Sequence, residues 1–440
     1  MGAISAESWD AKKDYYEKNN YTMDSVIGLS GAESAFEKYL RGTSGTKKVT
    51  VGNDGKTLTE TYTDEPKIGN NVALTIDIKL QEVAEKALNK FVPSINNGKG
   101  GGAAVVIDLS DGSVLAAASY PTYSAASYND DYKKLYSDAL KPLYNRAFLG
   151  TYAPGSTYKI CTGTAGVDAG VINTNTTFTC HGAMDYYGTT FHCWERGGNH
   201  GAENLSDAVR DSCNIYFYNV GIKTGIDALT KTAQAYGLGK ATGIELTEST
   251  GVNAGPAYSK KLGVTWNQGN VLSAAIGQSD NQFTPLQLAN YIATFINGGT
   301  HYKAHMLKTV KSSDNSKILY QYKPSVLNTV KLSKEARSAI KKGMGEVIKA
   351  DSITDFDALE KSGVKVGCKT GTAQIGKTGL YNGLLVSFAP YDNPKIAVCT
   401  VVEKALSGAS TSAITAAIMN YYFSEDATLQ RVEAENQMIS

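Results

Sequence analysis

Ser156 and Lys159 stand three residues apart in the stretch YAPGSTYKI, residues 152–160. A serine hydroxyl is a weak nucleophile until a base takes its proton. A lysine can be that base only when burial or a nearby cation drives it neutral. A spacing of three puts both side chains on one helix face, one turn apart. Pro154-Gly155 pre-sets an entry to such a helix, and the N–H groups at its start favour negative charge developing beside the serine oxygen. The pattern alone decides nothing, because Ser44–Lys47, Ser338–Lys341 and Ser362–Lys365 share it. Those three read as a loop, an exposed charged helix and the approach to a strand.

Serine–lysine chemistry needs a second hydroxyl to relay protons and a cationic strand to hold an anionic substrate end. Lys-Thr-Gly occurs at Lys223, Lys369 and Lys377. Only Lys369-Thr370-Gly371 follows a strand-like run and continues as one. There the glycine would leave backbone open to substrate. Lys223 reads as a helix end before Gly225, and Lys377 as part of a turn. Ser-x-Asn occurs at Ser94, Ser127, Ser212, Ser279 and Ser313. Ser212-Cys213-Asn214 sits where two helical stretches meet, so that Ser212 and Asn214 can share a cleft while Cys213 points away. Ser279-Asp280-Asn281 reads as loop and cap chemistry before Thr284-Pro285, and Ser313 as a surface hairpin. Ser212 is the preferred relay, with Ser279 its competitor.

These residues need a scaffold. Residues 1–73 are polar, with a short amphipathic helix ending at Gly42 and a hairpin around Asn53-Asp54-Gly55-Lys56. A strand from Val72 to Ile76 leads into a helix with apolar Leu80, Val83, Ala84, Ala87, Leu88 and Phe91. Two further strands meet at Ser110-Asp111-Gly112. From Ala147 to about Ile296 the pattern is mostly helical with Gly-rich breaks. Three strands and a closing helix follow. Strands at both ends of a long helical insert predict an α+β fold: one antiparallel sheet covered by helices, with a helical subdomain.

At 440 residues the chain is long enough for two domains, or one large domain with an appendage. Its 43 basic and 42 acidic residues leave a net charge of +1, which gives no reason to expect nucleic acid as a partner. No apolar run reaches the ~18–20 residues of a membrane span, and the opening residues lack the features of a signal peptide.

"YAPGSTYK", "SCN" and "CKTGTA", in that order, resemble the transpeptidase domain of class B penicillin-binding proteins. "LTIDIKLQ", "GAAVVIDLSDGSVLAAASYPTY", "NRAF", "IGQSDNQFTPLQLANYIATFINGG" and "FAPYDNPKIAVCTVVE" match as well, so the resemblance spans roughly residues 70 to 425. It implies the serine β-lactamase/penicillin-binding transpeptidase fold, with residues 1–73 as a shortened N-terminal pedestal, 74–425 as the transpeptidase domain and 426–440 as a tail. It implies a peptidoglycan stem peptide ending in D-Ala-D-Ala as substrate, β-lactams as covalent inhibitors, and no cofactor. Ser156 would be the nucleophile and Lys159 its base. Ser212, with Lys369 nearby, would pass a proton to the leaving amine. Asn214 would hold the substrate amide, and Thr370, Gly371 and Thr372 the substrate's carboxyl end. The N–H groups of Ser156 and Thr372 would form the oxyanion hole. The resemblance also implies an extracellular fragment of an anchored protein in the bacterial envelope, working beside a membrane glycan polymerase. Placing "GQ…TPLQLA" in a family loop outside the site favours Ser212 over Ser279. Other readings are a D,D-carboxypeptidase or β-lactamase with water as acceptor, for which Glu245 is the candidate activating carboxylate, and a non-catalytic β-lactam sensor.

Six cysteines occur, none in Cys-x-x-Cys spacing. "FTCHGAMDYYGTTFHCW" reads as a hairpin with Asp185 and Gly188 flanking a two-residue turn. That register sets Cys180 opposite Cys193 and His181 opposite His192, on opposite faces. It predicts a Cys180–Cys193 disulfide, favoured by an oxidising envelope, over two free thiols. It argues against a metal site, because the four ligands would not converge.

Overall fold

A computed structural model describes residues 2–195, 198–376 and 379–424. Lys377 and Thr378 of the third Lys-Thr-Gly, and the 426–440 tail, lie outside the described residues. Two compact units emerge. One comprises 1–75, 244–247 and 305–323, and the other the rest.

The first unit is discontinuous where the sequence suggests a run ending near 73. Strand Asn71–Leu74 pairs with Leu307–Lys311, which pairs with Ile318–Gln321. Phe36, Leu307 and Val310 form a shared buried cluster. The polar amino-terminal segment thus completes its core with residues that arrive more than two hundred positions later. The hairpin Thr46–Val51/Thr57–Asp64 turns as expected through Gly55, whose φ is +77°.

The second unit carries a five-stranded antiparallel sheet. Its order is Gly367–Ile375, Leu380–Ala389, Ile396–Ala405, Gly102–Asp108, Val114–Tyr120. Residues 102–107 and 396–402 are all buried, so both faces of the sheet centre are covered. This is why these strands read as unbroken apolar runs rather than alternating ones. Helices Ile78–Asn96 and Ser412–Tyr422 pack together and on the sheet. Helix Pro285–Ile296, buried from Pro285 to Phe295, crosses the three central strands. Its start is fixed by a capping box between Thr284 and Gln287. The Lys-Thr-Gly strand is the sheet edge, and the helix Lys334–Ala350 packs against it. No described helix is long and apolar enough to cross a membrane.

Candidate active site

Ser156 lies in a single 3-10 turn, Gly155–Tyr158, that feeds directly into the helix Lys159–Asp168. Gly155 makes the entry possible: its φ is +53°, and a Cβ there would stand 3.0 Å from the Thr372 carbonyl oxygen. The edge strand therefore lies directly along the serine turn. Gly371 faces the same constraint, since its Cβ would meet the Pro154 carbonyl oxygen at 2.6 Å and Thr157 at 2.9 Å. The space that a side chain at Gly371 would need is taken by the protein's own serine turn.

Lys159 is fully buried, yet its Nζ meets three oxygens. It donates to the Ser212 carbonyl at 2.6 Å and the Asn214 Oδ1 at 2.6 Å, and lies 3.2 Å from the Ser212 Oγ. Burial is the main force lowering its pKa to about 7, and the Lys369 ammonium adds to it. A neutral lysine amine has two N–H donors and one lone pair. The two short bonds use both donors and leave the lone pair for a hydroxyl proton. The Asn214 Oδ1 orients Lys159, and its Nδ2 lies 3.4 Å from the His192 carbonyl.

Ser212 reaches this position through a local rule. The helix Leu205–Arg210 ends with Ser212 in the left-handed region, φ +55°, and Cys213 N–H bonds back to the Ala208 carbonyl. This is a Schellman closure. Cys213 at once caps the next helix, Asn214–Thr224, accepting from Tyr216 N–H. One residue thus ends one helix and the next starts another, and Ser212 and Asn214 turn to the same lysine. Ser279 is exposed on a turn at φ +60°, while Asn281 is buried and ties Ala254, Ala274 and Gln278 backbone together. The loop before it is nevertheless beside the site. A Cβ on Gly277 would stand 2.1 Å from the Gly155 carbonyl oxygen, and Gln278 Nε2 reaches the Thr372 carbonyl at 3.4 Å. Sequence reasoning placed this loop outside the site and missed Gly277 and Gln278. Ser44, Ser338 and Ser362 are exposed.

Lys369 is fully buried, with its Nζ 3.3 Å from the Thr370 carbonyl. Thr370 Oγ1 donates to Asp351 Oδ2 at 2.8 Å, and Thr372 Oγ1 accepts from Gly408 N–H at 3.1 Å. Glu245 accepts from Met306 N–H within the first unit, a structural role that accounts for this carboxylate.

The cysteine hairpin differs from its expected register. Its turn is Tyr187-Gly188, φ +45° and +73°, so Asp185 faces Thr190 and Ala183 faces His192. A two-residue turn of this kind needs positive φ at both centres, which places Gly188 inside the turn rather than beside it. The ladder stops at Ala183, and Cys180 pairs with Gly201 in a separate ladder. The expected Cys180–Cys193 disulfide is absent: all six cysteines are free and buried. His181 and His192 do not join Cys180 and Cys193 in a donor cluster, but two other residues do. Because the hairpin ends early, the donor atoms of Cys180, Cys193, His200 and Cys213 converge within 4.8 Å. Cys193 is drawn toward the thiolate mainly by a hydrogen bond from Cys213, helped by backbone N–H groups and His200. Three thiols and an imidazole are the donor set of a closed tetrahedral zinc site, and these four residues can hold such an ion. Cys213 ties that cluster to the segment carrying Ser212 and Asn214.

Comparisons with known proteins identify the family. Residues 102–421 match the penicillin binding protein transpeptidase domain, and residues 1–74 the penicillin-binding protein dimerisation domain. The peptidoglycan D,D-transpeptidase MrdA of Haemophilus influenzae is 33% identical over 95% of this chain and 66% of its own length. The chain thus spans about two thirds of that relative. PBP2 of Pseudomonas aeruginosa, solved in complex with WCK 5153, superposes with a TM-score of 0.77 at 28% identity, over 96% of this chain and 88% of that one. A chain of a peptidoglycan synthase complex, described for its coordination of polymerization and crosslinking, gives a TM-score of 0.82 at 28% identity, over 95% and 73%. On the match across most of its length, which includes the serine, lysine and Lys-Thr-Gly residues, this chain belongs to the penicillin-binding protein transpeptidase family.

Proposed function

We propose that this chain is a D,D-transpeptidase that cross-links peptidoglycan stem peptides through an acyl-enzyme on Ser156. The observation that carries the reading is the convergence of Ser212 and Asn214 on the buried Lys159, one turn beyond Ser156. Neutral Lys159 takes the Ser156 proton as the oxygen attacks the penultimate D-Ala carbonyl. The N–H groups of Ser156 and Thr372 receive the developing oxyanion, a contribution of about 3 kcal/mol per donor in such sites. The proton then passes from Lys159 through Ser212 Oγ, 3.2 Å away, to the departing amine of D-Ala. The ester at Ser156 next meets an amine from a neighbouring strand, which takes the acyl group and returns Ser156 to its hydroxyl form. β-Lactams enter the same path, and their opened ring stays attached, so no leaving amine makes way for the acceptor.

The peptidoglycan synthase complex among the structural relatives supports work beside a glycan polymerase, and the MrdA relatives support a place in the bacterial envelope. Intact-mass measurement after penicillin treatment tests the reading. One stable adduct per chain, lost in Ser156→Ala, supports it. Rapid turnover without adduct points to a β-lactamase, and no reaction at all to a non-catalytic sensor.

A further inference from the structure

The two threonines of Lys369-Thr370-Gly371-Thr372 are not equivalent. A hydroxyl has one proton to donate, and Thr370 directs its proton to Asp351 Oδ2 at 2.8 Å. Thr372 is arranged the other way. Its oxygen accepts from Gly408 N–H at 3.1 Å, so its proton remains available, and its side chain is exposed. Gly408 is held tightly in place, since a Cβ there would stand 2.5 Å from the Gly371 carbonyl oxygen.

Asp351 itself occupies an unfavourable spot. It is the C-cap of the helix Lys334–Ala350, the end where the helix dipole repels an anion. A carboxylate there needs compensation, and it finds the Thr370 hydroxyl at 2.8 Å. Lys369 is fully buried. The charged or titratable groups that face it are Asp351, Cys368, Asp211 and Lys159. Burial, the largest influence, lowers the Lys369 pKa, and Asp351 is the strongest of the groups that oppose it.

We propose that Asp351 is a positioning residue that withdraws Thr370 from substrate binding and leaves Thr372 as the hydroxyl that grips the substrate carboxylate. The inference rests on the transpeptidase reading above. It divides between two threonines the carboxylate-binding role that the family resemblance implies for both.

Acylation rates of the full chain test it, using a penicillin and its carboxamide analogue across pH. The unsubstituted chain should favour the carboxylate. Thr372→Val should erase that preference by about 10- to 100-fold, the scale of a hydrogen bond to a charged group. Thr370→Val should leave the preference standing. Asp351→Ala frees the Thr370 hydroxyl, so Thr372→Val should cost at least several-fold less of the preference in that background than it does alone. Should Thr370→Val erase the preference, or should Asp351→Ala leave the loss in Thr372→Val undiminished, Asp351 is merely structural and the proposal is overturned. If Thr370→Val does not fold, the comparison of Thr372→Val with and without Asp351→Ala decides alone. A stable adduct on the unsubstituted chain separates these outcomes from failure of the transpeptidase reading, whose absence would remove both.

Discussion

Lys159 Nζ and the Asn214 side-chain oxygen lie 2.6 Å apart in a fully buried setting, and that contact fixes which way the lysine lone pair can face. With the Ser212 carbonyl also at 2.6 Å, both N–H bonds of the neutral amine are committed. The base is oriented before substrate arrives.

The first expectation concerns pH. Burial, with Lys369 adding, lowers the Lys159 pKa to about 7. The lysine acts only when neutral, so acylation should rise with pH up to about 7 and level above it. Lys369 must stay protonated, so the rate should fall again below the ordinary lysine value, because its pKa is also lowered by burial. Stopped-flow acylation measures both limbs. A flat profile through pH 7 would remove Lys159 as the base.

Ser212→Ala should slow acylation by ~10²–10⁴, the range of a lost proton-relay group, with the fold intact by circular dichroism. Ser279→Ala changes an exposed turn residue and should leave the rate within about threefold. The reverse order would mean that the wrong serine has been assigned.

Metal content follows from the convergence of Cys180, Cys193, His200 and Cys213. Elemental analysis should find one zinc per chain, and thiol counting after denaturation with chelator should find six free sulfhydryls. Chelation of the folded protein should lower its melting temperature. The loss is about 4 kcal/mol of stability when free metal had exceeded its dissociation constant a thousandfold. Four sulfhydryls would restore the disulfide.

Glu403 ties the approach to Ser156 to the sheet. Its carboxylate accepts from Arg146 Nε and Tyr152 Oη at 2.9 Å and from Gly101 N–H at 2.7 Å. Burial raises its pKa, but the Gly101 N–H, Arg146 and Tyr152 together hold it below the usual 4.5. A depressed carboxyl pKa stabilises the fold above the unfolded value and loses that stabilisation as pH falls through the folded one. Stability should therefore decline below about pH 4.5 more weakly in Glu403→Gln than in the unsubstituted chain. At neutral pH that variant should cost about 3 kcal/mol in urea unfolding, because Arg146 is left buried without its counter-charge. A cost under about 0.5 kcal/mol would show the network to be dispensable.

Gly277→Ala tests how tightly the neighbouring loop is pressed on the nucleophile. Its Cβ would sit 2.1 Å from the Gly155 carbonyl oxygen, and φ is +74°. Acylation should drop by at least ~10², as for small displacements of a positioned nucleophile. An unchanged rate would show that the loop can shift without moving Ser156.

The sequence by itself determined the local matters. Apolar runs marked the covered strands, Gly112 and Gly55 marked turns, and Pro154-Gly155 before Ser156 marked a helix entry. These are legible because each depends on a few adjacent residues and on backbone sterics. Local context and the resemblance also singled out Ser212 among five Ser-x-Asn copies, and it is the serine that lies beside Lys159. What only the tertiary structure decided lies between distant segments. It set the Asn214 side-chain oxygen on Lys159, filled the space beside Gly371 with the Pro154 carbonyl, gave the Thr370 hydroxyl to Asp351, and drew Leu307–Lys311 into the first unit. The cysteines show the reason most plainly. Whether Cys180 faces Cys193 depends on a one-residue choice of turn, and whether His200 and Cys213 join them depends on where that ladder ends and a second begins. Strand pairing is a non-local agreement between two segments, and a single chain pattern constrains only its own side of it.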